Sequence, residues 1–135
     1  MPYCEKLSGD EKRACVEGFG KEFIVLAQDR DIRAIDKMTD AQFEKVVGWC
    51  GFAGSRESAS ICVIGALRSV FWGGENDPRA SVRFCDIAHK KGFGQECFTD
   101  LYLGASLYMP RRLDKERLCS FVPAEYREGC AAKLL

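Results

Sequence analysis

Eight cysteines fall into four pairs of nearly constant internal spacing, and this regularity constrains the fold more than anything else in the chain. Ten residues separate Cys4 from Cys15 and Cys119 from Cys130, and eleven separate Cys50 from Cys62 and Cys85 from Cys97. The first cysteines of successive pairs lie 46, 35 and 34 residues apart, and the second cysteines 47, 35 and 33. A large apolar residue precedes the first cysteine every time, namely Tyr3, Trp49, Phe84 and Leu118. A sequence period near 34 with such flanks marks stacked supersecondary units, each too small to bury its apolar face alone.

The pattern between the cysteines is helical. Cys15, Phe19, Phe23 and Leu26 recur at steps of four, four and three, which predicts a helix over 10–27 with those residues on one face. Gly18 and Gly20 interrupt it, and a glycine inside a helix costs about 1 kcal/mol, so close approach by a neighbouring backbone is expected there. The charged stretch 28–38 is a connection in which Ile32 and Ile35 anchor a short turn. Thr39 with Gln42 has capping-box spacing and opens a helix through Phe43, Val46, Val47 and Cys50. Ser55 is the expected N-cap of the next helix, whose body, Ile61 to Trp72, carries only Arg68 as a charge and is read as the buried centre. Asp77 and Pro78 start another helix, Gly92 to Gly94 break it, and Cys97, Leu101, Ala105 and Tyr108 share a face of its successor. Pro110 and Pro123 open the last two helices.

These features predict an all-α fold, a short α-solenoid of about three and a half stacked helix pairs in one domain over 1–135. The units are 1–28, 39–74, 77–109 and 110–135, with one disulfide per pair. Repeat symmetry pairs Cys4 with Cys15, Cys50 with Cys62, Cys85 with Cys97 and Cys119 with Cys130, out of about 105 connectivities open to eight cysteines. The period and the helix-pair plan resemble tetratricopeptide-type repeats, and the staples resemble secreted, cysteine-rich versions of such solenoids. The resemblance covers most of the chain, is generic, and transfers no individual functional residue.

Composition excludes several partners and chemistries. Twenty basic and twenty acidic residues balance to zero net charge, and the basic run Arg111 to Arg117 is interrupted by Asp114 and Glu116, so no nucleic-acid groove is expected. The longest charge-free apolar runs, 46–55 and 101–110, are half of what a membrane-spanning helix needs. No close cysteine pair of the C-x2-C kind is present, which argues against a zinc site and a redox motif. Asp29, Asp31, Asp36 and Asp40 are interleaved with Arg30, Arg33 and Lys37 and lack EF-hand spacing. His89, the sole histidine, lies four residues after Cys85, a geometry for nucleophile and base only if Cys85 is unbridged. No cofactor, metal site or catalytic residue is expected.

Regular cysteines point to an oxidising, extracytoplasmic compartment, although no secretory signal occurs in this stretch. A removed leader, a domain cut from a longer chain, or reduced thiols in a cytosol each reconcile the two observations. The expected function is a structural or interaction protein that binds copies of itself head to tail, because neither terminal unit carries a polar cap. Candidate contact residues are Trp49, Trp72, Tyr102, Tyr108, Tyr126, Leu134 and Leu135. The rival expectation is a small thiol, redox or metal-binding protein of a reducing compartment.

Overall fold

The computed structural model describes residues 2–28, 32–73 and 78–135. Among them are eight α-helices, one 3-10 helix and no strand. The order is α1 (Pro2–Glu5), α2 (Gly9–Ala27), the 3-10 helix (Ile32–Lys37), α3 (Asp40–Cys50), α4 (Arg56–Gly73), α5 (Pro78–Lys90), α6 (Gly94–Tyr108), α7 (Arg112–Phe121) and α8 (Ala124–Leu134).

Local chemistry sets several boundaries. At the start of α3 the Gln42 amide donates to Thr39 Oγ1 at 3.2 Å while the Thr39 amide donates to Gln42 Oε1 at 2.8 Å, the reciprocal box expected from the sequence. The Ser58 amide donates to Ser55 Oγ at 3.1 Å and caps α4. Gly92 takes a φ of 91° beyond the end of α5, and the amides of Gly92 and Phe93 donate back to the carbonyls of His89 and Ala88. This Schellman closure needs the left-handed conformation that glycine adopts without strain. The capping role of Asp77 lies outside the described residues, as do Asp29, Arg30 and Asp31.

All four expected bridges are present, with Cα separations of 5.4 to 5.6 Å. That span suits an unstrained disulfide. The bridges join helix bodies more than helix ends: Cys50 is the last residue of α3, but Cys85 lies inside α5 and Cys15 is well inside α2. In an antiparallel hairpin, residues equally distant from the connecting loop sit at the same height, so a spacing of ten or eleven faces the two sulfurs across the pair.

The principal contacts join helices one or two places apart in the chain. One row runs α2, α4, α6, α8 and a second runs α3, α5, α7. α4 packs on α2, α3, α5, α6 and the 3-10 helix, as its nearly uncharged sequence implied. Contact between α2 and α4 is the most extensive in the molecule. A Cβ on Gly20 would fall on the Cys62 carbonyl oxygen, and one on Gly65 would fall on the Glu17 carbonyl oxygen. The two glycines therefore let the backbones touch from both sides. Gly18, expected to do the same, has open space beside it.

Two expected helix faces are displaced. The buried stripe of α2 is Val16, Gly20 and Ile24, whereas Cys15, Phe19 and Phe23 are half-buried on its flank and Leu26 is exposed. Docking through Gly20 rotates the aromatic flank away from α4. On α6 Cys97, Leu101 and Ala105 are buried, but Tyr108 is half exposed at the helix end.

Candidate interaction surface

Three of the surface hollows are lined by candidate contact residues, two of them along the α2, α4, α6, α8 row. The first, about 340 Å³, is floored by Leu67, Phe71 and Leu101 and rimmed by Leu107 and Tyr108. Arg68 crosses it. Its guanidinium donates to Asp100 through Nε at 3.2 Å and through a second nitrogen at 3.0 Å, and to Glu17 Oε1 at 2.7 Å. One arginine thus ties α4 to α6 and α2, and these hydrogen bonds, that to Asp100 foremost, raise its pKa further above the usual arginine value against the opposing cost of burial. The hollow is polar but internally neutralised at that end, since Lys21 also pairs with Glu17 at 3.6 Å.

The second hollow, about 410 Å³, lies between α6 and α8 and shares Leu103 with the first. Its aromatic wall is held from within. Tyr126 stacks on Phe98 with ring centroids 4.3 Å apart, and the Tyr102 hydroxyl donates to the Tyr126 carbonyl at 2.8 Å. Burial, reinforced by the neighbouring Tyr126, pushes the Tyr102 phenol up to about 12. The Tyr126 hydroxyl meets His89 Nδ1 at 2.7 Å, and burial followed by the charges of Glu125, Glu96 and Asp86 raises its pKa. His89 Nε2 lies 3.4 Å from Glu125 Oε1. Gly94 makes room for this cluster, because a Cβ there would strike the Tyr126 hydroxyl and the His89 ring.

The third hollow, about 290 Å³, is lined only by Phe23, Leu26, Trp49 and Phe52. Trp49 meets Phe23 edge to face at 5.5 Å, and Phe52 is 82% exposed.

The candidate contact residues are therefore dispersed. Trp49 lines the third hollow, Tyr108 the first, and Tyr102 and Tyr126 the second, where Tyr102 is buried and structural. Leu134 packs against the core and Leu135 is 46% exposed. The side chain of Trp72 lies outside the described residues. Sequence reasoning missed Leu103, Leu107 and Phe52. The first two are four residues apart on α6, a second apolar stripe overshadowed by the cysteine-bearing face.

Every cysteine is bridged, so Cys85 has no thiol to offer His89, and His89 is engaged by Tyr126 and Glu125. Among the described residues no three metal-ligating side chains converge, Asp36 and Asp40 included, and no helix is long and apolar enough to cross a membrane. Asp40 instead accepts from Arg83 at 2.9 Å. No protein-family model, curated protein or solved structure matches this chain.

Proposed function

We infer that the protein is a non-catalytic structural or interaction module, a disulfide-stapled α-solenoid that assembles head to tail with copies of itself outside the cytoplasm. The observation that carries this reading is the two-row packing, in which each helix pair rests on its neighbours. Packing of that kind can be continued by a second copy of the chain. Exposed apolar side chains on both terminal pairs support self-association: Tyr3 and Leu7 on one, Leu113, Phe121 and Leu135 on the other. Four intrachain bridges support an oxidising compartment. The rival reading, a thiol or metal protein of a reducing compartment, requires free thiols, and free-thiol titration of the native protein separates the two.

Sedimentation equilibrium of the oxidised protein over a wide concentration range tests the assembly. The expected outcome is a weight-average mass that climbs continuously with concentration, as an open heterologous contact requires. A monomer at every concentration would count against it.

A further inference from the structure

The four second helices of the pairs can be compared position by position from their cysteines. At one and five residues after the cysteine stand Val16 and Gly20 in α2, Val63 and Leu67 in α4, Phe98 and Tyr102 in α6, and Ala131 and Leu135 at the end of the chain. The first six are buried. Ala131 and Leu135 are exposed. In α2 these positions face the following second helix, since Gly20 lies on the backbone of α4 at Cys62 and Ala66.

The opposite side of each helix shows the mirror of this pattern. At the cysteine itself and at three and four residues beyond it, α4 presents Cys62, Gly65 and Ala66, all buried, with Gly65 against the Glu17 backbone of the preceding second helix. The same positions in α2 are Cys15, Gly18 and Phe19, of which Cys15 and Phe19 are half-buried and Gly18 is exposed. Cys15 is the one cysteine of the eight that is not buried. Gly18 is thus the repeat equivalent of Gly65, and a Cβ built on it meets nothing within 4 Å. A mid-helix glycine facing open space weakens the helix and gains no packing within the monomer.

We propose that the α2 face centred on Gly18 receives α8 of a second copy, with Ala131 and Leu135 set against Gly18 and Phe19 as Val16 and Gly20 of α2 are set against α4. This rests on the head-to-tail reading and adds the register to it. The occupant is a second copy because the contact continues one already made inside the molecule between α2 and α4, and because the equivalent positions of α8, Ala131 and Leu135, are small or apolar. The join is heterologous, so it propagates.

Two variants and their mixture test the register. Gly18→Leu places a side chain in open space in the monomer and blocks the recipient face, and Ala131→Glu puts a charge at the centre of the donor face. Each alone is expected to weaken assembly at least about tenfold in sedimentation, with the thermal midpoint of the dilute protein unchanged or raised. Mixed, they keep one good face each and are expected to form 1:1 dimers that grow no further. Assembly of Gly18→Leu at wild-type strength would overturn the register and leave head-to-tail association standing. A wild-type protein that stays monomeric would overturn both, and mixed variants that remain monomeric while wild type assembles would overturn the pairing of these two faces.

Discussion

Replacing Gly20 with alanine is the sharpest probe of the contact between α2 and α4. In a solvent-exposed helix interior that change is favourable by about 1 kcal/mol. At Gly20 the new methyl would lie 2.9 Å from the Ala66 amide nitrogen and on top of the Cys62 carbonyl oxygen. Comfortable carbon contacts are about 3.5 Å or longer, so α2 has to back away from α4 by about an ångström or more, the Cys62 oxygen setting the larger demand. A gap of that size forfeits about half or more of the dispersion energy of each contact pair across it. Overpacking of this kind typically costs about 1 to 3 kcal/mol, and α2 with α4 is the largest helix contact in the molecule, so the upper part of that range applies. The net expectation is a loss of about 1 to 2 kcal/mol. Gly48 supplies the control, because it is exposed in the last turn of α3, with nothing within 4 Å of an added Cβ. Gly48→Ala should gain up to about 1 kcal/mol. For a domain of this size those changes correspond to a midpoint lower by about 3 to 10 °C and higher by about 3 to 5 °C, respectively. Thermal melts by circular dichroism on dilute protein with intact bridges measure both. If Gly20→Ala gained stability as Gly48→Ala does, the close α2 and α4 contact would be wrong.

Two further outcomes follow from burial and from the bridges. Tyr102 has a folded-state phenol raised from 10 to about 12, so its neutral form is favoured in the native state. Its contribution is present below pH 10 and is lost as pH rises from 10 through 12, amounting to about 2 to 3 kcal/mol at most. Absorbance titration of the tyrosines should therefore lose a late component in Tyr102→Phe, and an unchanged curve would contradict the burial. Removing a bridge of this loop length costs about 3 kcal/mol by the chain-entropy argument. The Cys50→Ala, Cys62→Ala double variant should show that loss in urea unfolding, because both residues are buried and the bridge ties α3 to the central helix α4. The Cys4→Ala, Cys15→Ala variant should lose less in the global transition and instead release α1, whose principal contact is with α2. Equal global losses would contradict this division.

Much of the local architecture was legible in the sequence because the chemistry that sets it is local. Thr39 with Gln42, Ser55, and the ten- or eleven-residue cysteine spacing each act within one turn or one hairpin, and each is realised. Features that depend on how helices cross were not legible. The sequence marked Gly18 and Gly20 alike, and only the crossing with α4 shows that Gly20 is covered and Gly18 is open. The same crossing makes Val16 and Ile24 the buried stripe of α2 and leaves the aromatic run Phe19 and Phe23 on its flank. Arg68 read as a lone charge in an apolar helix, since its partners Glu17 and Asp100 are 51 and 32 residues away. Among the contact candidates, Tyr102 is buried where α8 packs over α6, whereas Tyr108 ends α6 half exposed, a difference that residue type does not encode.

The proposed head-to-tail association is tested most directly by cross-linking an equimolar mixture of isotopically light and heavy protein at high concentration. Mass spectrometry then identifies the lysine pairs joined between copies. Head-to-tail association predicts mixed-isotope links from Lys133 of α8 to Lys12 and Lys21 of α2, with links between two copies of the same lysine absent. Mixed-isotope links dominated by α2 to α2 or α8 to α8, or links confined to single copies, would contradict it.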